Sequence, residues 1–148
     1  MENKQFESII DSLFTIVPLL KKDLMKPDMD NKQNDLSSSH LQILFYLEDM
    51  GVQPMSEIGK HLQINKSNLT PLVQKLIDRH LVERIQDDKD RRYVKIGLTK
   101  DGFMQLEEQK SKIAENLKIK LSNLKPDEMQ RFAVSLAEVK NIMIRFLL

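Results

Sequence analysis

The chain has 148 residues, 41% hydrophobic and 30% charged, with no cysteine and a net charge of +1. This length fits one compact domain with or without helical extensions. The missing thiols exclude disulfide scaffolds, cysteine nucleophiles and cysteine-ligated zinc. No apolar run approaches the ~18 residues that a membrane span needs, and the start lacks a signal-peptide pattern, so a cytoplasmic protein is expected.

The net charge conceals an uneven distribution along the chain. Residues 1–59 carry 5 basic against 10 acidic side chains, residues 60–95 carry 9 against 5, and residues 96–148 carry 9 against 7. The basic middle segment is compatible with an anionic partner and also with an ordinary solvated surface.

The front of the chain is predicted to be helical from about 4 to 26, because apolar residues recur there at helical spacing. Pro18 has no amide hydrogen and is expected to kink this helix. The sequence KPDMDNKQND then predicts a polar loop. A second helix is expected after Ser37, a candidate N-cap. Its predicted buried stripe consists of Leu41, Leu44, Phe45 and Leu47.

Two shorter helices follow, near 54–62 and over 66–79, and their short QIN connection is typical of a helix-turn-helix. The exposed first turns of helix 66–79 carry Lys66, Ser67, Asn68, Thr70 and Gln74. Such side chains suit a major groove, where Asn or Gln can bond adenine bidentately. Capping by Asn65 and Ser67, and a solvated face for the others, are the alternatives.

The segment QDDKDRRYVKIGLT, residues 86–99, joins a charged turn to strictly alternating apolar side chains. Together with the preceding LVERIQ it predicts a β-hairpin, which must lean on the helices to be stable. The turn 87–92 is interpreted as a DNA probe, since a narrow minor groove attracts arginine. A turn kept soluble by mixed charge is the alternative. Lys89, Lys95 and Arg84 are expected to contact phosphates.

Two long helices are predicted at the end of the chain, from Thr99 to about 122 and from Pro126 onward. The two terminal segments hold more apolar surface than a small winged domain can cover, which predicts an identical chain as partner. Helices that bundle within one subunit are the alternative.

An enzyme is not expected, because the sequence shows no glycine-rich phosphate loop, serine nucleophile motif or His-x-x-x-His pattern. His40, His61 and His80 lie 21 and 19 residues apart, without short metal-ligand spacing. They are interpreted as surface or half-buried side chains, and no metal or cofactor is expected.

The helix-turn-helix, charged wing and flanking long helices together resemble the MarR family of bacterial transcription regulators over nearly the whole chain. The most specific segments are NKSNLTPLVQKLIDRHLVER and DDKDRRYVKIGLTKDG, which contain Asp-Arg-Arg at 90–92 and Leu-Thr-x-x-Gly at 98–102. Gln63 and His80 occupy turn positions where the family often has glycine, so both are expected in a left-handed conformation. Thr-Pro-Leu around Pro71 is similar to organic-peroxide sensors, whose reactive cysteine this chain lacks.

The resemblance implies a mainly α fold with a small two- or three-stranded β wing. The winged helix-turn-helix domain is expected over 36–99, and a helical dimerisation region over 1–35 and 100–148. The expected function is a homodimeric DNA-binding regulator, a repressor by family default. Recognition helix 66–79 and wing 87–92 would contact a pseudo-palindromic operator in double-stranded DNA.

Finer roles also follow from the resemblance. It favours Asp90 pairing with an arginine to brace the wing; whether Arg91 or Arg92 enters the minor groove is left open, with Arg91 favoured. A small aromatic or anionic effector is implied. Its candidate pocket residues, which can equally be core, are Phe14, Phe45, Met50 and Phe103. A winged-helix module for protein contacts, without operator binding, is the rival interpretation.

Overall fold

The computed structural model describes residues 2–24 and 35–147. As predicted, the fold is mainly α-helical with a small antiparallel sheet. The elements in chain order are α1 (Glu2–Leu19), a π-helical segment (Leu20–Leu24), α2 (Ser38–Met50), β1 (Gln53–Pro54), α3 (Met55–Leu62), α4 (Lys66–Asp78), β2 (Val82–Gln86), β3 (Val94–Leu98), α5 (Lys100–Leu121) and α6 (Pro126–Leu147).

Two compact units divide the chain, one up to Ile113 and the other from Ala114 onward. The predicted domain boundaries at 36–99 stay a prediction. In the part of the chain that the structure describes, no helix has both the length and the apolar character needed to cross a bilayer.

The first helix departs from the predicted span of about 4–26. The α-helical part ends at Leu19, one residue after Pro18, and a π-helical segment continues to Leu24. Proline cannot donate to the carbonyl four residues earlier, and its ring displaces that carbonyl, so a wider turn directly after it is physically reasonable. The predicted loop 26–35 lies outside the described residues except for Asp35.

The start of α2 is capped as expected at Ser37, with a partner that the sequence did not suggest. His40 occupies the third helical position, and its Nδ1 accepts the Ser37 backbone N–H at 2.9 Å. His40 is buried, with 6% exposure, so its interpretation as a surface or half-buried side chain is wrong. Leu36 and Leu41, before and after the cap, are both buried in the manner of a hydrophobic staple.

The core of the first unit surrounds α2, whose buried face is wider than predicted because Ile43 and Tyr46 join it. The buried hydrophobic residues are Leu36, Leu41, Ile43, Leu44, Tyr46, Leu47, Ile58, Leu69, Val73, Leu76, Leu81, Val82, Ile96 and Leu106. They come from α2, α3, α4, the sheet and α5, so one apolar cluster supports the helix-turn-helix and the wing.

The sheet has the order β1-β3-β2 and antiparallel pairing throughout. In the hairpin, Val82 lies opposite Leu98 and Gln86 opposite Val94. The short β1 pairs Gln53 with Ile96 and leads directly into α3. This third strand anchors the hairpin to the helices, which an isolated hairpin would need.

The Leu-Thr-x-x-Gly sequence fixes the junction between the wing and α5. The Thr99 hydroxyl donates to the His80 carbonyl at 2.6 Å and accepts the Gly102 N–H at 3.0 Å. A Cβ on Gly102 would lie 2.1 Å from the Leu81 carbonyl oxygen, so only glycine fits there. Through these two hydrogen bonds and the close backbone approach at Gly102, the motif holds the junction of β3 and α5 against the turn after α4.

The turns after α3 and α4 adopt the expected left-handed conformation. Gln63 has φ 55° and His80 has φ 57°. Gln63 is the C-cap of α3 and His80 follows the C-cap of α4, positions where glycine would meet no steric penalty.

In the second unit, α6 begins at Pro126 without a small polar cap at Lys125. Glu128 makes one of the two hydrogen bonds of a capping box, because its Oε2 accepts the Lys125 N–H at 2.9 Å. The apolar side chains of α6 are largely exposed, among them Val134 at 59% and Phe146 at 67%.

Candidate nucleic-acid interface

The start of α4 is a capped helix end that presents polar side chains outward. Asn65 Oδ1 accepts the Asn68 N–H at 3.0 Å and the Ser67 hydroxyl at 2.9 Å, so both residues form the cap. The Thr70 hydroxyl donates to the Lys66 carbonyl at 2.9 Å. Within the described residues, the side chains of Lys66 and Asn68 have no hydrogen-bond or ion-pair partner and are exposed.

Gln74, one turn beyond Thr70, is engaged at both ends of its amide. Its Nε2 donates to Asp78 Oδ1 at 2.8 Å, and its Oε1 accepts from Arg84 Nη2 at 2.7 Å. Because Arg84 belongs to β2, this bridge connects the exposed face of α4 to the first strand of the wing.

Two acidic side chains of the wing turn accept hydrogen bonds from its backbone and so stabilise its conformation. Asp87 Oδ1 accepts the Lys89 N–H at 2.8 Å, and Asp90 Oδ1 accepts the Arg92 N–H at 3.0 Å. The backbone bond from Lys89 and the Lys95 ammonium lower the pKa of the Asp87 carboxyl. The side chain and the backbone of Arg92 lower the pKa of Asp90. Both carboxylates are therefore held in their ionised form.

The two neighbouring arginines differ in what holds them. Arg92 is paired with Asp90 through Nη2–Oδ2 at 2.8 Å and Nε–Oδ1 at 3.0 Å, and this pairing raises the pKa of its guanidinium. Its side chain is nevertheless 87% exposed. Arg91 is exposed and has no side-chain partner in the part of the chain that the structure describes. Lys95 pairs with Asp87 at 3.0 Å.

A cleft of about 590 Å³ joins the helix-turn-helix to the wing. Three cations line it, Lys60 from α3, Lys66 from α4 and Arg92 from the wing turn, together with the exposed ring of Tyr93. The structure thus places the first turn of α4 and the wing turn along one cleft that cationic side chains line. The sequence prediction did not include Lys60.

The sequence did not predict an ion-pair cluster between Asp35 and the second half of α4. Asp35 pairs with Lys75, 3.1 Å away, and with Arg79, and Lys75 Nζ also donates to the Asp35 carbonyl at 2.7 Å. Lys75 is the main cause of the lowered pKa of Asp35. These partners lie 40 and 44 residues apart, so no local pattern reveals them. The cluster ties the residue before Leu36 to the second half of α4.

The predicted effector residues do not line the cleft between the helix-turn-helix and the wing. Phe14 is 76% exposed on α1, Met50 55% and Phe103 48%, while Phe45 is partly buried against the core. Other residues line the cleft described above. Over residues 2–24 and 35–147, no group of three potential metal ligands occurs.

The comparisons with known proteins agree on one family. Residues 36–94 match the MarR family. The chain is 30% identical over 107 residues to the HTH-type transcriptional regulator YkoM of Bacillus subtilis (strain 168), covering 72% of this chain and 70% of YkoM. It is 27% identical over 86 residues to the HTH-type transcriptional repressor MdtR of the same organism, covering 57% of this chain and 56% of MdtR.

A solved structure extends the likeness to the whole fold. The transcriptional regulator Tm0710 from Thermotoga maritima superposes with a TM-score of 0.71 at 21% identity, covering 96% of each chain. The capped α4, the wing with Asp-Arg-Arg and the Leu-Thr-x-x-Gly junction are the parts of this sequence that most resemble the family. The chain belongs to the MarR family of winged helix-turn-helix transcription regulators.

Proposed function

We propose that this chain is a homodimeric, sequence-specific DNA-binding repressor that contacts a pseudo-palindromic operator through α4 and the wing. The observation that carries the proposal is the shared cleft, since Lys66 of α4 and Arg92 of the wing line the same surface. A helix in a major groove and a hairpin in the adjacent minor groove require this juxtaposition.

On α4, Asn68 is the best candidate for base contact, because its amide is exposed and unengaged among the described residues. An asparagine amide can bond adenine through two hydrogen bonds. Lys66, one turn from Thr70, is a phosphate or base contact of the same helix turn. Ser67 and Thr70 contribute only by exchanging their present hydrogen bonds for DNA contacts.

In the wing, we assign the minor-groove contact to Arg91, the arginine with no partner in the described structure. Asp90 holds Arg92 in a fork, and that fork shapes the tip. Lys89, which has an exposed side chain, and Lys95, which is shared with Asp87, are proposed phosphate contacts.

The dimer is supported by the exposed apolar face of α1. Phe6, Ile9, Ile10 and Leu13 are 44–62% exposed there, more than an isolated small domain usually leaves uncovered on one helix. A two-fold pair would set two copies of α4 about 34 Å apart, one duplex turn, and so match a pseudo-palindrome.

Repression is proposed because MdtR, one of the relatives, is a repressor. Release by a small aromatic or anionic effector is the further part of the proposal, with Phe14, Phe45, Met50 and Phe103 as its residues. Three of these side chains are exposed in the single chain and are therefore available to a ligand.

The test begins with enrichment of duplexes from a random-sequence pool by the wild-type protein, followed by a mobility shift of the enriched duplex at two salt concentrations. We expect one consensus with two-fold symmetry and a complex that weakens steeply with added salt. If no sequence is enriched and the binding surface instead retains a protein partner, the chain is a winged-helix interaction module and the proposal fails.

A further inference from the structure

We propose that Asp78 and Gln74 are positioning residues that hold Arg84 against the exposed face of α4 as a preformed phosphate contact. This inference rests on the proposed function and assigns a role that the sequence pattern does not suggest. It replaces the prediction that Gln74 contacts a base.

The bridge from Asp78 to Arg84 has a direction that chemistry imposes. The amide of Gln74 donates only through Nε2 and accepts only through Oε1. Since the Asp78 carboxylate occupies Nε2 at 2.8 Å, Oε1 must face the other way, where it accepts from Arg84 at 2.7 Å. Asp78 therefore sets the orientation of the amide, and the amide sets the position of the guanidinium.

Arg84 is held by a neutral acceptor, the Gln74 amide oxygen, whereas other cations of this surface are held by carboxylates. Arg92 pairs with a carboxylate, as does Lys95. In the part of the chain that the structure describes, Arg84 has no carboxylate within ion-pair distance, so its charge is not cancelled. A neutral acceptor fixes the fork and leaves the full positive charge available to a phosphate.

Asp78 is placed where an acid is otherwise unfavourable. It is the last residue of α4, and a carboxylate at a helix C-terminus opposes the helix dipole. It also lies on the face that would approach DNA, since Gln74 is one turn away and exposed. The bond to Gln74 gives this carboxylate a function that offsets both disadvantages.

Base contact by Gln74 would break both hydrogen bonds of its amide. In the free protein the amide is already satisfied at both ends, unlike that of Asn68. Base preference is therefore expected to reside in Asn68, and Gln74 is expected to affect affinity without changing sequence preference.

The direction in which Asp78→Ala changes DNA affinity distinguishes a positioning role of Asp78 from the effect of a negative charge near phosphates. We would measure the dissociation constant of the duplex enriched by the wild-type protein, using fluorescence anisotropy. If Asp78 were only an acid near phosphates, Asp78→Ala would tighten binding by removing repulsion. The proposal predicts a weakening of roughly 3- to 10-fold, because Arg84 loses its position. Glu83→Ala, which removes a neighbouring exposed acid of β2, is the matched control and should leave binding unchanged or tighter.

A double-mutant cycle completes the test. Arg84→Ala should weaken binding about tenfold, and in that background Asp78→Ala should weaken it no further. Asp78→Asn keeps an acceptor for Gln74 and should restore most of the wild-type affinity. Thermal unfolding of each variant, followed by circular dichroism, shows that the fold is retained.

Two results would overturn the inference. One is Asp78→Ala behaving like Glu83→Ala. The other is Gln74→Met, which preserves the side-chain shape, abolishing discrimination at one base pair in a set of singly substituted duplexes. Wild-type protein that enriches no duplex overturns the proposed function and this inference together, whereas normal wild-type binding with either result above overturns this inference alone.

Discussion

The interior of the winged helix-turn-helix and the outer faces of the terminal helices are made of the same residue types but are covered differently. Ile43, Leu44 and Ile58 are completely buried. Phe6 on α1 is 62% exposed and Val134 on α6 is 59% exposed. Both sets recur at helical spacing, so periodicity alone does not distinguish a residue that is buried within the chain from one that stays exposed on a helix surface.

The same periodic pattern of apolar residues can therefore contribute to stability in two ways, by burial within the chain or by burial against another surface. The buried set stabilises the single chain by removing apolar surface from water, at roughly 25 cal/mol per Å². The exposed set can contribute the same way only when another surface covers it, and its contribution then depends on protein concentration.

The largest effect is expected from Leu44→Ala in the core. Because Leu44 is fully buried, its truncation should lower the free energy of unfolding by about 2–5 kcal/mol, measured by urea denaturation. Leu13→Ala on α1 is the matched variant, since Leu13 is 44% exposed. Its effect should fall as the protein is diluted, whereas that of Leu44→Ala should not; equal concentration dependence would contradict the comparison.

The next effect concerns association. Ile10→Asp places a charge in the apolar face of α1, where Ile10 is 50% exposed, and should raise the dimer dissociation constant at least about tenfold. Sedimentation velocity over a dilution series would measure this change. Ser8→Asp, on the polar side of the same helix, should leave association unaltered; a dimer that tolerates Ile10→Asp would show that α1 is not its interface.

A similar distinction applies to the two arginines of the wing turn, because Arg92 is paired with Asp90 and Arg91 has no partner among the described residues. Arg91→Ala should weaken operator binding about tenfold, because the groove contact is assigned to the unengaged arginine. Arg92→Ala should cost less, since it removes the brace with Asp90. Anisotropy titrations of both variants give the ranking, and the reverse order would assign the groove contact to Arg92 with Asp90 as its orienting group.

The smallest expected effect comes from the polar residue inside the core. Burial of His40 at the start of α2, with a further contribution from Lys75, lowers the pKa of its imidazole below the ordinary 6.5, although Asp35 opposes this. As pH falls, the unfolded chain therefore takes up the proton first. The free energy of unfolding should be greatest above 6.5 and should decline from 6.5 downward through the folded-state pKa.

His40→Gln is the variant that tests this pH dependence. It retains an acceptor for the Ser37 amide, as in a capping box, and cannot titrate. Urea denaturation at about pH 7.5 and about pH 5.5 should show a smaller decrease for His40→Gln than for the wild type. The same decrease in both proteins would show that another group titrates.

Local sequence signals predicted the helix-turn-helix and the hairpin, and the resemblance to the family implied the left-handed turns at Gln63 and His80. These features depend on periodicity, caps and turn positions that lie within a few residues of one another. The missed features are tertiary. The pairing of β1 with β3 involves only Gln53 and Pro54, too short a strand for alternation to appear. The Asp35 cluster and the Gln74–Arg84 bridge depend on where distant side chains meet.

The candidate interface was predicted by residue type and less well by role. The sequence shows that Arg91 and Arg92 are neighbours, but only the folded turn shows that Asp90 holds the second of them. Likewise, the sequence places His40 three residues after Ser37, but only the folded helix start shows that its imidazole accepts the Ser37 N–H and is buried. The sequence shows which side chains are present, whereas only the fold shows which of them are held by hydrogen bonds or ion pairs.

The balanced charge of the wing turn has a consequence for how salt would act on DNA binding. Residues 87–92 contain three acids and three bases, so the tip as a whole carries no net charge. Displacement of counterions from DNA follows the number of phosphates neutralised, with a logarithmic slope of roughly 0.9 for each. Of the three bases, Arg92 is paired with Asp90, so the tip should add at most about two such increments, through Lys89 and Arg91. A protein lacking the tip should therefore keep most of its ionic-strength dependence while losing discrimination for the shape of the groove.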